Sequence, residues 1–383
     1  MDDINTYIFY TFFFLFCLFF SHKLVLSKKL NSANFEIDFT KPVLYLYILI
    51  YSLIIGLRYN VGRDYAGYTE WFKELRHTGN FPVDNDFGFI WLNEFLIEFD
   101  FESYNLFIVI AFLQILFLLL SIRKIAFLRS WYIFFYFTTL IFFISLNVMR
   151  QTLAFFIFAY CLQLYSDKKY YKTFFLGLLA FSFHKTVILP LLLLPFLKFE
   201  WFKNYKIQLI LLFLSVFVFP FFFAIILEYM SPLINLLGYN YYIENLDYMK
   251  EITEESKKGD GLSIFLFFFA DLFIIFFYEK LKLKFKKYFF VQFYNLYFIG
   301  SILSRVFADN FILARMADYF TFFRAMILAF LMFYIFNAQD TLTKKIIKPI
   351  ALLLCMGLLL FYYKSIYNNA GDIAPIQFFF SHD

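Results

Sequence analysis

Residues 131–164 read WYIFFYFTTLIFFISLNVMRQTLAFFIFAYCLQL and carry one charge, Arg150. As a single helix they would rise about 51 Å, well beyond a hydrocarbon core of roughly 30 Å. The chain must turn inside this stretch, and the polar run Asn147 to Gln151 is where it does so. Two adjoining membrane segments follow from these residues alone.

Comparable apolar runs lie on both sides, at about 4–20, 43–57, 105–121, 173–183, 187–197, 207–229, 263–278, 289–304, 320–337 and 349–363. In all they predict an all-α, polytopic transmembrane bundle of about twelve segments, some short or re-entrant. The 383 residues are 62% hydrophobic and 16% charged, where soluble domains carry roughly 25% charged residues, so a soluble globular domain is excluded. Lipid tolerates the 65 Phe at any exposed position, and no aromatic binding box is read from that number. Cys17, Cys161 and Cys355 each lie in an apolar run, which suggests neither a disulfide framework nor a metal cluster. Met1-Asp2-Asp3 offers no basic n-region, and no cleavage site follows the first run, which therefore reads as a retained helix. With no repeat and no Gly/Ser linker, 1–383 reads as a single membrane domain.

Lysine sets the orientation. Six connections of one parity, 21–42, 122–130, 165–172, 198–206, 279–288 and 338–348, hold 21 of the 34 Lys and Arg residues. The positive-inside rule makes these cytoplasmic, with both termini outside and with 58–103 and 230–262 as large outer loops. The stretch 173–197 is either one span with His184 and Lys185 in its middle or two segments that turn at His184. The five lysines from Lys280 to Lys287 favour the turn, since a single span would put them outside.

Arginine is sorted the other way. Seven of nine (Arg58, Arg63, Arg76, Arg150, Arg305, Arg315 and Arg324) fall on the outer side, most of them at helix mouths. A guanidinium fork binds phosphate bidentately, so the set suits an outward-facing anion site, while snorkelling to headgroups is the plainer reading of any one member.

The first outer loop opens GLRYNVGRDYAGY over 56–68. Asp64 can act as a general base toward a sugar hydroxyl, or be a turn carboxylate beside Arg63. Tyr65 and Tyr68 can stack on sugar rings. His184 can take a proton or, with Lys185, bind phosphate; the alternative is a mouth histidine bonded to backbone. Arg315, Asp318 and Tyr319 share one helical face. Asp271 falls within a span, where a carboxylate calls for a partner such as an outer arginine. Asp84-Asn85-Asp86 has the spacing of a metal-binding acidic pair, which is common by chance, and no metal site is expected. No phosphate-binding glycine loop, zinc-ligand spacing or nucleophile elbow is present.

The run Gly56-Leu57-Arg58 followed by Gly62-Arg63-Asp64-Tyr65 and Tyr68 resembles the EpsG family of exopolysaccharide proteins, which belongs with the Wzy-type O-antigen and capsule polymerases. Arg150-Gln151, His184 and Arg315 to Tyr319-Phe320 look similar too, and the resemblance spans about 40–335. Lys185 and Thr186 stand where the family often has a serine after its histidine. The resemblance implies a GT-C-like glycosyltransferase, a polymerase at the outer face of the bacterial inner membrane. It would transfer a growing glycan from undecaprenyl diphosphate onto a new lipid-linked repeat unit. Asp64 or His184 would be the base. Arg58, Arg63, Arg150, Lys185, Arg305 and Arg315 would hold the diphosphates, and Tyr65, Tyr68, Gln151 and Tyr319 the glycan. Arginines would neutralise the diphosphates without a metal, and no cofactor is expected. Expected partners are the undecaprenyl-diphosphate-linked oligosaccharide and membrane lipid, with a chain-length regulator and a flippase of the same pathway, and no nucleic acid. The rival classes are a flippase for the same units, which would need polar groups at mid-membrane, and a membrane acyltransferase, which would need a cytoplasmic acyl-donor site.

Overall fold

The computed structural model describes residues 4–23, 37–81, 86–222, 261–308 and 311–381, with isolated positions 225, 228, 229, 231 and 232. The expected outer loop 230–262 falls almost wholly outside the described residues, as do Asp84 and Asn85. Among the described residues, five helices are long and apolar enough to cross a membrane: Ile4–Lys23, Ser103–Ser121, Gly261–Tyr288, Leu313–Asn337 and Thr343–Tyr367. The pair Arg123–Thr138 and Ile141–Asn147, bent by 60°, makes a sixth if counted as one span. Shorter apolar helices run Pro42–Gly56, Lys185–Phe196 and Tyr205–Phe217. The chain is a polytopic helical membrane protein. It divides into two compact units, Met1–Leu191 with Tyr362–Asp383, and Leu192–Phe361.

The first unit holds α1 (Ile4–Lys23), α2 (Pro42–Gly56), α3 (Tyr65–Thr78), α4 (Phe87–Glu98), α5 (Ser103–Ser121), α6 (Arg129–Thr138), α7 (Ile141–Asn147), α8 (Met149–Ser166), α9 (Tyr170–Phe183) and α10 (Ile188–Leu193) up to Leu191. Its core is α8, buried from Gln151 to Leu164 except at Tyr160 and packed between α5 and α9. The helix breaks at Val148 (φ −82°, ψ 58°), inside the expected Asn147–Gln151 turn. A broken helix leaves carbonyls without partners, which is costly away from water. The Gln114 amide of α5 meets part of that need, donating to the Ser145 carbonyl in the last turn of α7 at 3.3 Å and also to the Met149 carbonyl at 3.0 Å. A further break, at Leu140 (φ 65°), was not expected from the sequence.

α9 ends at His184, whose extended backbone (φ −161°, ψ 110°) leads into the short turn Lys185–Val187. A Cβ placed on Gly177 would lie 3.4 Å from Leu191 Cδ2. In one continuous helix those residues would stand about 21 Å apart, so the chain folds back at His184.

The second unit holds α11 (Tyr205–Phe217), α12 (Gly261–Phe285), α13 (Phe290–Val306), α14 (Phe311–Thr321), α15 (Phe323–Asn337) and α16 (Lys348–Tyr367) up to Phe361. Here α13 packs against α11, α12, α14 and α15, and α15 is buried from Phe323 to Met332. The connection 198–204 is tied to this unit by Glu200, which accepts hydrogen bonds from Tyr278 at 2.7 Å and Lys282 at 2.8 Å.

Candidate functional site

Beyond Gly56 the chain leaves α2, and Arg58 turns back into the protein. Its Nε donates to Val61 O (3.1 Å), Nη1 to Ile55 O (2.8 Å) and Nη2 to Leu146 O (3.0 Å). The guanidinium lies 4.9 Å from the Phe107 ring centre. Burial lowers its pKa to about 10, which leaves it cationic at neutral pH. Arg58 therefore ties the end of α2 and the loop to the Leu146 carbonyl beside the α7–α8 break, and three of its donors are occupied by backbone. Gly62 adopts φ 103°, and a Cβ there would lie 3.0 Å from Leu146 O, so the loop crosses the break at a place open to glycine.

Arg63 is exposed. Its backbone N–H donates to Asn147 Oδ1, and its side chain pairs with Asp372 at 3.4 Å. Asp64 is half-buried at the position that opens α3. Tyr65 lies flat on Phe107 with ring centres 4.4 Å apart, and burial raises its hydroxyl pKa against the opposing pull of Arg58. Tyr68 is buried edge-on to Trp71 and Phe89, each at 5.5 Å. Both tyrosines thus pack α3 onto the unit, a geometry different from the open sugar platforms expected.

Asp86, just ahead of α4, gathers the remaining motifs. Its Oδ2 accepts from Arg150 Nη1 at 3.0 Å and its Oδ1 from the Lys185 backbone N–H at 3.0 Å. The carboxylate is buried, so its two charge-assisted bonds are stronger than they would be in water. The Arg150 guanidinium lies 5.2 Å from the Phe89 ring centre and 5.8 Å from those of Tyr68 and Trp71, within cation–π range of all three. Gln151 beside it is buried. His184 Nδ1 lies 2.7 Å from Thr186 Oγ1. If Nδ1 is the donor, Nε2 carries the lone pair a base requires; if the hydroxyl is the donor, Nε2 carries the proton.

The second unit has its own charged centre. Asp271, fully buried in α12, accepts from Tyr297 (2.7 Å) and Arg324 Nε (3.2 Å) on Oδ1. On Oδ2 it accepts from Ser301 (2.8 Å), Arg305 Nη2 (2.5 Å) and Arg324 Nη2 (3.4 Å). The arginine partner expected for Asp271 is present twice. Two guanidiniums around one carboxylate leave one positive charge in excess. Arg315 and Asp318 sit on α14, with Asp318 accepting from Thr321 at 3.4 Å, and Tyr319 is buried.

Of the expected site residues, Arg58, Arg63, Asp64, Tyr65, Tyr68, Arg150, Gln151, His184 and Lys185 belong to the first unit, and Arg305, Arg315 and Tyr319 to the second. A path of contacts joins the first group: Tyr68 to Arg150, Arg150 to Asp86, and Asp86 to Lys185, with Arg63 touching Asn147 three residues before Arg150. Sequence reading left out Asp86 except as a half of an acidic pair, took Asn147 only as a turn, and passed over the segment 371–379. An Asp just ahead of an apolar helix was the one local signal for Asp86.

This is a helical membrane protein whose polar motifs gather beside breaks in its helices. The EpsG family model matches residues 42–379, and the chain belongs to that family. No curated protein and no solved structure matches the chain.

Proposed function

We propose that this protein is a polysaccharide polymerase that joins undecaprenyl-diphosphate-linked repeat units at the outer face of the bacterial inner membrane. One observation carries the reading. Four motifs far apart in sequence, at 58–68, 86, 150–151 and 184–185, are linked by direct contacts in one unit of an EpsG-family chain. In the reaction a hydroxyl of the acceptor unit attacks the anomeric carbon of the donor glycan. Asp64 or His184 takes the hydroxyl proton, and the lipid diphosphate departs with the bonding electrons. Arg150, steadied by Asp86 and three aromatic rings, neutralises charge on a diphosphate as it leaves. Arg63 and Lys185 extend that field. This step uses residues of the first unit alone; Arg305 and Arg315 belong to the second. Arg58 acts indirectly, by holding the loop.

The test is deletion of the gene followed by gel analysis of the surface polysaccharide. Collapse of the ladder to one repeat unit displayed outside supports the polymerase. An unchanged ladder removes it, and repeat units stranded inside point to a flippase. A normal ladder that has lost only acyl groups points to an acyltransferase.

A further inference from the structure

The loop that carries Arg63 and Asp64 is held by more than its own neighbours in sequence. Tyr59 N–H donates to Gln377 O at 2.9 Å, and Phe379 N–H donates to Leu57 O at 2.9 Å, which forms an antiparallel bridge between Arg58 and Phe378. Gly62 N–H donates to Asp372 O at 2.7 Å and Arg63 N–H to Gly371 O at 3.1 Å. The Arg63 side chain pairs with Asp372 at 3.4 Å. The same segment is tied to α1: Tyr10 OH donates to Ile373 O at 2.7 Å, and Ile376 N–H donates to Thr6 Oγ1 at 3.0 Å. Its aromatic rings complete the grip, with Phe379 4.6 Å from Tyr104 and Phe378 5.4 Å from Phe9.

The loop needs such a grip. Asn60 (φ 49°) holds left-handed backbone, which a non-glycine residue keeps only where its surroundings support it, while Gly62 (φ 103°) takes its positive φ without strain. Residues 62 and 63, whose amides the strap receives, directly precede Asp64 and the first turn of α3.

We infer that residues 371–379 form a positioning strap for the functional loop, setting where Arg63 and Asp64 stand, and are as much a part of the site as the loop itself. The inference rests on the polymerase reading for its activity readout but not for its structural one. Gly371 has φ 78° and a Cβ there would meet Asn147 Nδ2 at 2.7 Å, so Gly371→Val should loosen the strap at its turn. Phe379→Ala loosens it at the other end with no backbone strain.

Hydrogen exchange over residues 57–65 of the full-length protein should quicken roughly ten-fold in Gly371→Val, as expected when strained backbone loses its support. Exchange in α5 and α8 and the thermal midpoint should stay as in the parent. Long-chain polymer per molecule of membrane-inserted protein should fall by a similar factor. The strap is refuted if loop exchange is unchanged, or if it quickens while the full ladder persists. Should Gly371→Val fail to accumulate, Phe379→Ala decides by the same two measurements. If gene deletion leaves the ladder unchanged, the polymerase reading fails, and the exchange result still judges the strap.

Discussion

Arg58 and Arg150 carry the same charge and look alike in the sequence, yet the fold uses them differently. Arg58 donates three hydrogen bonds to backbone carbonyls, whereas Arg150 faces one carboxylate inside a ring of three aromatics. Its flat cation is matched to those rings in a way that an ammonium is not. Arg150→Lys should therefore behave nearly like Arg150→Ala. Both should cut long-chain polymer by roughly 10²–10³, the usual cost of losing one stabilising donor, with normal protein in the membrane. Normal chain lengths in the lysine variant would show that charge alone suffices. Asp271 offers a second test. Removing it leaves two buried guanidiniums without their counter-ion, so Asp271→Ala should destabilise the second unit by about 3–5 kcal/mol in thermal unfolding in detergent. Arg150 could be singled out from the sequence because it is the sole charge in 34 apolar residues. Asp86 could not, because its partners lie 64 and 99 positions further along the chain.

Helix ends decided how far the elements could be read. The break at Val148 was visible because 131–164 is too long for one span and Asn147 offers a polar place to turn. The break at Leu140 was hidden, since Thr139-Leu140 carries neither Gly nor Pro and only the packed structure shows the left-handed residue. At His184 the helix stops and folds back, and with the lysine sorting this predicts that Lys185 and the lysines from Lys280 to Lys287 face opposite sides of the membrane. In intact cells a membrane-impermeant maleimide should label Lys185→Cys, and should reach Lys284→Cys only after permeabilisation. Cys17, Cys161 and Cys355 are all buried and should stay silent. Equal labelling of both positions would reinstate a single span over 173–197. Glu200 gives the elements a pH signature. Burial raises its pKa, but the bonds from Lys282 and Tyr278 outweigh burial and hold it below the usual carboxylate value. A depressed folded pKa adds stability above the unfolded value and loses it as pH falls through the folded one. Glu200→Gln should therefore lower the thermal midpoint at pH 7, and the gap from the parent should close in acid below the usual carboxylate range.

Across the whole molecule, opposite sorting of lysine and arginine gave direction to the helices before any contact was known. Tyr10 and Thr6 of α1 touch Ile373 and Ile376, which brings the first turns of α1 and the segment 371–379 beside the loop at 57–63. Epitope tags at the two termini should be accessible from the same side of the membrane, the outside in spheroplasts. One tag inside and one outside would contradict these contacts. The EpsG match extends to residue 379, whereas the resemblance seen by eye faded near 335, because the strap pairs through backbone and leaves little trace in side-chain type.

The strap has a consequence for the order in which the protein is made. Arg63 meets Asp372 across 309 residues of chain. At roughly 5–20 residues per second that interval is on the order of fifteen seconds to a minute, during which the loop has been made and is without its partner. The loop gains its strap only when translation has passed residue 379, so a ribosome that stalls earlier leaves an inserted chain whose loop is unstrapped. On the polymerase reading proposed above, such a chain would hold Arg63 and Asp64 too loosely to extend glycan.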